Sequence, residues 1–320
     1  MEYTKLGNTD ISVSRICVGG MSFGKPSSDF YEWTLDAESS KAMVKHSIDL
    51  GINFFDTANQ YSNGTSEEYL GKAIKSLTKR ENVVIGTKVY FNEGKLSSKA
   101  INREIDMSLK RLGTDYVDLY IIHRFDYSTP IEETMQALHN LVKAGKVRAL
   151  GASAMYGYQF HNMQLCAEKN GFTKFVSMQN HYNLLYREDE RELIPICKQY
   201  NVSLTPYAPL AAGRLSRLDW SSKSTRSETD KIAIRRYDAT KEQDYEIVKQ
   251  VYEISQKYSV TMSQIALAWQ FAKGVSSPIV GATKTQYLDD AVKSINIKLT
   301  AEDIENLEKF YIPHIVNGAL

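Results

Sequence analysis

Eight short apolar segments recur along this 320-residue sequence, and they limit its possible folds more than any other feature. In chain order they read RICVGG, INFFDT, NVVIGTK, VDLYIIH, VRALGAS, FVSMQN, VSLTPYAP and SPIVGAT. Each is rich in β-branched or aromatic residues, which is typical of strands. Stretches with the apolar spacing of a helix separate them, and most of the segments end about 30 residues apart, the length of a β-α unit.

This alternation predicts the fold class. Continuously apolar strands indicate a parallel sheet, and eight strand-helix units predict an α/β fold, a closed (β/α)8 TIM barrel that forms a single domain over residues 1–320. A doubly wound open sheet is the alternative, although no GxGxxG motif follows the first strand.

Three further segments carry local predictions. YTKLGNTDISVS alternates around Gly7-Asn8, which predicts an N-terminal β-hairpin that could plug the bottom of the barrel. TSEEYLGKAIKSL begins with Thr65 and Glu68, the pattern of a capping box. The interval after the seventh strand is about twice the usual length. We interpret its polar first half, residues 219–238, as a long loop over the barrel mouth.

Composition excludes several function classes. A net charge of +1 removes the electrostatic argument for nucleic acid or an anionic membrane as a partner. No segment approaches the roughly 18 unbroken apolar residues of a membrane span, and the N-terminus lacks the pattern of a signal peptide. The three scattered cysteines form no CxxC motif, which favours reduced thiols and a cytoplasmic location, with Cys17 in the core. The oligomeric state is left open.

Polar side chains follow most of the predicted strands. The carboxyl ends of the strands of a barrel build its active site, so these residues are expected on one rim. A single one of them has ordinary explanations, because a strand-end Asp often caps a helix and a Lys often reaches solvent. The set is Asp56, Tyr61, Lys88, His123, Ser153, Gln179, Asn180 and Tyr207.

Four of these residues together suit one kind of chemistry. Asp56 can hold Lys88 charged, and the ammonium is expected to lower the tyrosine pKa of about 10, making Tyr61 a general acid. A neutral His123 can donate a hydrogen bond to a carbonyl oxygen. The six histidines form no HxxxH pair and no zinc-type cluster, so no metal is predicted. Protonation of a carbonyl is useful when a cofactor delivers hydride to its carbon.

At these residues the sequence resembles the aldo-keto reductases, which are NADPH-dependent (β/α)8-barrel enzymes. INFFDTANQYSNGTSEEYLGKAI, VVIGTKV, VDLYIIHRFD, GKVRALGAS and MQNHYNLLYRE match successive family segments and span essentially the whole chain. The similarity is greatest with the bacterial and fungal branch that includes aryl-alcohol dehydrogenase-like members. The resemblance implies that Asp56, Tyr61, Lys88 and His123 are the catalytic tetrad of an enzyme that reduces aldehydes and ketones.

The resemblance also implies a binding site for NADP(H). Tyr207 would stack on the nicotinamide, and Ser153 and Gln179 would hold its carboxamide. APLAAGRLS would wrap the pyrophosphate with small residues that allow close backbone approach. Thr283 and Lys284 would meet the 2′-phosphate. The remaining residues expected at the cofactor are Gly20, Met21, Ala208, Leu210, Gly213, Leu215, Gly281, Tyr287 and Asp290.

Three positions depart from the family pattern. Ala154 stands where an Asn is common, Tyr287 where a Gln or Arg is usual, and Ala291 where an Asn is usual. One contact to the nicotinamide carboxamide is therefore expected to be missing, and the adenosine end of the cofactor is expected to be held differently. The preference for NADPH over NADH depends mainly on Lys284 and on family habit.

Aromatic residues in the loops predict the substrate pocket. An aromatic pocket suits aldehydes and ketones, including aryl ones, while Arg124 beside the tetrad histidine could attract an anionic substrate. The expected walls are Met21, Phe23, Trp33, Tyr90, Phe91, Arg124, Phe125 and Tyr127. Two other functions stay open, because fold alone does not decide function: conversion of a sugar phosphate on the same scaffold, and a cofactor-binding sensor or regulatory subunit.

Overall fold

An N-terminal hairpin precedes the main sheet of the structure. The computed structural model describes residues 1–26, 31–220 and 228–316. Strands β1 (Tyr3–Lys5) and β2 (Ser12–Ser14) pair antiparallel around Gly7, which has a left-handed φ of 51°. The predicted hairpin is confirmed.

Eight parallel strands form the main sheet, and each of the eight predicted apolar segments supplies one of them. The strands are β3 (Cys17–Gly19), β4 (Phe54–Asp56), β5 (Val84–Val89), β6 (Val117–Ile122), β7 (Val147–Ser153), β8 (Phe175–Gln179), β9 (Ser203–Leu204) and β10 (Ile279–Val280). Their order in the sheet is β10-β3-β4-β5-β6-β7-β8-β9, and the Ile279 amide donates to the Pro206 carbonyl (2.9 Å), which joins the two end strands. The predicted (β/α)8 barrel is confirmed.

Side-chain alternation along the strands separates two hydrophobic cores. Phe54 packs in the barrel interior, whereas its neighbour Phe55 packs in the larger core between the sheet and the helices. Leu6 and Val13 of the hairpin share the inner core with buried Cys17, so the hairpin closes the barrel from below and Cys17 is a core residue, as predicted.

The helices surround the sheet and bury their apolar faces against its outer side. No helix in the described residues is long and apolar enough to cross a membrane. The helices are α1 (Ala37–Asp49), α2 (Thr65–Leu77), α3 (Ser98–Leu112), α4 (Ile131–Lys143), α5 (Gly157–Asn170), α6 (Leu193–Gln199), α7 (Lys231–Tyr237), α8 (Lys241–Tyr258), α9 (Met262–Ala272), α10 (Thr285–Lys293) and α11 (Ala301–Glu308).

Two local predictions are corrected. The long segment after β9 is not all loop, because residues 231–237 form α7, whose N-terminus is capped by the Asp230 side chain; residues 221–227 of that segment lie outside the described part. The capping box at α2 is wrong. Gly64 occupies the N-cap with a φ of 87°, and the Thr65 hydroxyl donates instead to the Ser62 carbonyl (2.7 Å).

Candidate active site

A buried ion pair lies at the rim formed by the carboxyl ends of β4 and β5. Lys88 and Asp56 are 0% and 3% exposed, and Lys88 Nζ lies 2.6 Å from Asp56 Oδ2. The same ammonium donates to the Thr57 carbonyl (2.8 Å) and to the Tyr61 hydroxyl (3.1 Å). An ammonium has three N–H donors, and these three acceptors account for all of them. The aspartate that ends a core strand has its partner on the next strand.

A tight turn presents the Tyr61 hydroxyl to that lysine. Ser62, Asn63 and Gly64 have φ values of 47°, 56° and 87°, three consecutive residues in the left-handed region. The left-handed φ of Gly64 favours glycine, and a Cβ there would lie 2.7 Å from Arg111 Cδ, so the Arg111 side chain would have to move. The turn thereby fixes the direction in which Tyr61 points.

Burial and the neighbouring Lys88 ammonium shift the pKa of Tyr61 in opposite directions. Burial raises the pKa of Tyr61, and the neighbouring Lys88 ammonium lowers it by less, so the net shift is upward. The expected net lowering is therefore wrong, although the predicted influence of Lys88 is present. Burial alone would lower the pKa of Lys88, but Asp56 and Tyr61 outweigh it and raise that pKa. Tyr61 consequently keeps its proton, and Lys88 its charge, at neutral pH.

His123 completes the group on the following strand. Its ring meets the Tyr61 ring edge-on, with centroids 5.9 Å apart. Burial, together with the charges of Lys88 and Arg124, holds the pKa of His123 well below its usual range, so the imidazole is neutral, as expected. Its Nδ1 is buried and has no hydrogen-bond partner among the described residues. The structure thus brings all four predicted tetrad residues together.

Two residues expected at the nicotinamide carboxamide are connected by hydrogen bonds to the Asp56–Lys88 ion pair. The Ser153 hydroxyl donates to the Gln179 carbonyl (2.8 Å), and Gln179 Nε2 donates to Asp56 Oδ1 (2.8 Å). Asp56 therefore accepts from Lys88 with one oxygen and from Gln179 with the other. Ala154, which follows Ser153, has a φ of 47°, a conformation that Asn adopts more readily than Ala.

Tyr207 lies next to the end of β8, because its amide donates to the carbonyl of Asn180, the residue after Gln179 (2.9 Å). Arg236 Cζ of α7 lies 5.1 Å from the Tyr207 ring centroid. Ala208, Ala211, Ala212 and Gly213 all have left-handed φ values, and their small side chains leave the backbone open to close approach. Leu210 is half-buried, while the Leu215 side chain is fully buried in the core and can face a cofactor only through its backbone.

The remaining predicted cofactor residues occupy two places on the rim. Gly20 is buried, and a Cβ there would lie 3.0 Å from the Asp56 carbonyl, while Met21 is half-buried. At Gly281 a Cβ would meet no described atom within 4 Å, so space is open at that point. Thr283, Lys284 and Tyr287 are partly or fully exposed near it in the chain, and Asp290 borders a surface hollow with Lys293. The exposed Lys284 side chain could hold an anionic group at this open edge.

The predicted pocket walls divide into core and surface residues. Phe23 and Trp33 are 1% and 9% exposed and offer little surface to a ligand. Phe91 is 44% exposed, and its ring meets the His123 ring edge-on at 5.1 Å and the Tyr90 ring edge-on at 5.0 Å. Arg124 Cζ lies 5.7 Å from the Phe91 ring centroid, and Phe125 contacts Tyr127.

A half-buried acid next to this rim, Asp189, has little signal in the sequence. Asn180 follows Gln179, and its Nδ2 donates to Asp189 Oδ2 (3.0 Å). Burial raises the pKa of Asp189 to about 7 against this hydrogen bond, with the nearby Glu188 and Glu192 acting in the same upward direction. Asp189 lies in the run REDERE, in which every residue is charged, so the sequence does not distinguish it.

We expect Asp189→Asn to change how stability depends on pH. The native carboxyl holds its proton to about pH 7, whereas the unfolded one loses it near pH 4. The native state binds more protons in that window, so the free energy of unfolding of the wild type falls as pH rises through it. An Asn side chain does not titrate. The free energy of unfolding of Asp189→Asn relative to the wild type should therefore rise by at most about 4 kcal/mol from pH 4 to pH 8. Urea unfolding at both pH values measures this.

The control for this prediction is Glu305→Gln, which removes from α11 an exposed carboxylate that does not act on Asp189. It should show little pH-dependent change relative to the wild type. If the Asp189→Asn difference were equal at both pH values, the buried-acid interpretation would be incorrect.

With this geometry established, comparison with known proteins identifies the family. The model of the aldo/keto reductase family matches residues 15–312, so the chain belongs to that family. It is 40% identical to versiconal hemiacetal acetate reductase of Aspergillus parasiticus, over 99% of both chains. It is 40% identical to the aldo-keto reductase AMT2 of Alternaria alternata, over 97% of this chain and 91% of the relative.

A third relative carries a different name. A Schizosaccharomyces pombe protein that is provisionally named an aryl-alcohol dehydrogenase is 41% identical, over 99% of this chain and 98% of its own. The resemblance to the aryl-alcohol dehydrogenase-like branch is confirmed. Membership of the family, with relatives named as reductases, supports an oxidoreductase that acts on carbonyl groups.

Proposed function

We propose that this protein is an NADPH-dependent reductase of aldehydes and ketones in which Tyr61 is the general acid. The observation that carries the proposal is the Lys88 ammonium, which is fully buried and divides its donors among Asp56, the Thr57 carbonyl and the Tyr61 hydroxyl. A structural ion pair has no need of a tyrosine hydroxyl, whereas a proton donor benefits from a fixed positive charge at its oxygen.

Three side chains have separate roles in the proposed proton transfer. Neutral His123 donates a hydrogen bond to the carbonyl oxygen and orients it toward Tyr61. Tyr61 transfers its phenolic proton to that oxygen as the alkoxide develops. Lys88, held by Asp56, then stabilises the phenolate, which regains a proton from solvent. Bound NADPH would supply the hydride that reaches the carbonyl carbon.

The cofactor assignment follows from the residues at the rim. Ser153 and Gln179 would hold the carboxamide, Tyr207 would stack on the nicotinamide, and residues 208–216 would wrap the pyrophosphate. Gly281 leaves room at the adenosine end, and exposed Lys284 offers a positive charge to a 2′-phosphate.

The substrate class is an aldehyde or ketone with an aromatic or other apolar group. Phe91 exposes nearly half of its surface beside His123, which would let a flat apolar group pack there while the carbonyl reaches Tyr61. The similarity to a protein provisionally named an aryl-alcohol dehydrogenase favours aryl carbonyls among these.

The test follows the absorbance of NADPH with a panel of aryl aldehydes, aliphatic aldehydes and sugar phosphates. We expect steady oxidation of NADPH with aldehydes, fastest with aryl ones. Tight NADPH binding without turnover of any carbonyl would favour a sensor. Conversion of a sugar phosphate without net oxidation of NADPH would favour the other enzyme class, and either result would contradict the proposal.

Lys284 provides a separate test of the cofactor assignment. We expect Lys284→Ala to raise the Kd for NADPH about tenfold or more, because a charged contact to the 2′-phosphate is lost. The Kd for NADH should stay the same, since NADH lacks that phosphate. Isothermal titration with both nucleotides measures this. Lys75→Ala, which removes an exposed lysine from the last turn of α2, is the control and should change neither value. Equal weakening of both nucleotides by Lys284→Ala would contradict the assignment.

A further inference from the structure

A stack of rings lies behind Tyr207, outside the four proposed catalytic residues. His181 is 3% exposed and lies between two tyrosines. Its ring is stacked 4.2 Å from the Tyr186 ring, at 15°, and 5.2 Å from the Tyr207 ring, at 5°. The backbones of His181 and Tyr207 also pair directly, as a parallel bridge that extends β8 and β9. The plane of the Tyr207 ring is therefore set by His181.

Hydrogen bonds connect His181 to two segments that face the proposed cofactor site. His181 Nε2 lies 2.7 Å from the Tyr237 hydroxyl of α7. Asn183 Nδ2 donates to the same hydroxyl (3.1 Å) and to the Ala208 carbonyl (2.9 Å), the first residue of the segment 208–216. Helix α7 also places Arg236 over the Tyr207 ring. The Tyr207 ring and α7 thus both contact the His181 imidazole, and Asn183 connects the same Tyr237 hydroxyl to the segment 208–216.

We propose that His181 is a positioning residue for cofactor binding. It fixes the ring plane of Tyr207 and holds α7 against it, so its loss weakens binding of the nicotinamide nucleotide and leaves proton transfer by Tyr61 nearly unchanged. This inference rests on the proposed function, in which Tyr207 stacks on the nicotinamide.

The chemistry of the side chain supports a role beyond filling space. A phenylalanine would fill the gap between the two tyrosines and stack equally well. It would, however, leave the buried Tyr237 hydroxyl without its imidazole partner. Only an aromatic side chain with a ring nitrogen supplies both the stack and the hydrogen bond, so the two contributions can be separated by substitution.

The experiment measures the Kd for NADPH and, at saturating NADPH, kcat for an aldehyde. We expect His181→Leu, which removes stack and hydrogen bond, to raise the Kd roughly tenfold. His181→Phe, which keeps the stack, and Tyr237→Phe, which removes the hydroxyl alone, should each raise it about threefold. In all three variants kcat should stay within about threefold of the wild type.

A matched control lies on the outer side of the barrel. His161 of α5 also contacts a tyrosine ring, at 5.8 Å from Tyr200, and its Nδ1 lies 3.0 Å from that tyrosine hydroxyl. His161→Leu therefore removes the same kind of contacts away from the rim, and it should leave the Kd unchanged. Thermal unfolding of every variant checks folding, and Tyr237→Phe provides the test if His181→Leu does not fold.

The outcomes separate this inference from the proposed function. Tyr207→Ala should raise the Kd at least as much as His181→Leu does. If Tyr207→Ala weakened binding but neither His181→Leu nor Tyr237→Phe did, the positioning role alone would be overturned. If Tyr207→Ala had no effect, or the wild type bound no nicotinamide nucleotide, the stacking role of Tyr207 would fail and this inference with it. A fall in kcat at an unchanged Kd would also overturn it.

Discussion

Tyr61→Phe is expected to bind NADPH as tightly as the wild type and to reduce aldehydes about 10²- to 10⁴-fold more slowly. The substitution removes one oxygen, the acceptor of the Lys88 hydrogen bond and the proposed proton donor. The ring and its edge-on contact with His123 can remain. Steady-state kcat with an aldehyde and the Kd for NADPH measure the two expectations separately.

The matched control for this prediction is Tyr69→Phe in α2, the helix that follows the Tyr61 turn. It removes the same atom from a tyrosine that the proposed mechanism does not use, so its kcat should equal that of the wild type. Turnover by Tyr61→Phe within about threefold of the wild type would show that another group donates the proton.

The position of the four proposed catalytic residues could be predicted from the sequence for a physical reason. Parallel strands in a barrel end at one rim, so Asp56 and Lys88 end successive strands close together. Asp56 pairs with Gly86, two residues before Lys88, so the Asp56 and Lys88 side chains lie on the same face of the sheet. The alternation of side chains along β5 then turns Lys88 inward, and outward-facing Thr87 donates to Glu67 of α2. Local sequence and topology were sufficient for that part.

The net shift of the Tyr61 pKa could not be predicted in the same way. Its direction depends on whether burial or the Lys88 charge is the larger influence, and burial depends on the packing of distant segments. The contact from Gln179 to Asp56 joins residues on strands that are not neighbours in the sheet. It crosses the barrel interior, which strand patterns do not describe.

Helix α7 and His181 illustrate a second limit of sequence patterns. The polar composition of residues 219–238 indicates loop, yet α7 forms because Ala233 and Tyr237 bury against the rim. Tertiary contacts therefore override composition there. His181 lies beside Asn180 and Tyr182 with no spacing that distinguishes it, and its role depends on rings brought from β9 and α7.

Asp56→Asn is expected to abolish measurable turnover and to lower the free energy of unfolding by about 3–5 kcal/mol. The amide removes the negative charge that compensates Lys88, and that ammonium is completely buried with no solvent to replace it. Adding Lys88→Met removes the uncompensated charge while keeping an apolar side chain of similar length. The double variant should therefore regain most of the lost stability and remain inactive.

The surface pair Lys45–Asp49 provides the control cycle. Its atoms are also 2.6 Å apart, but its side chains are 61% and 55% exposed. The same two kinds of substitution there should change stability by less than about 1 kcal/mol and leave turnover intact. Urea unfolding and aldehyde reduction of all the variants give both cycles.

A double variant at 56 and 88 that was less stable than Asp56→Asn would contradict the view that the buried charge, rather than lost packing, causes the destabilisation. Recovery of stability without activity separates the two contributions of the pair, because the protein can fold without the lysine charge but cannot stabilise a Tyr61 phenolate without it.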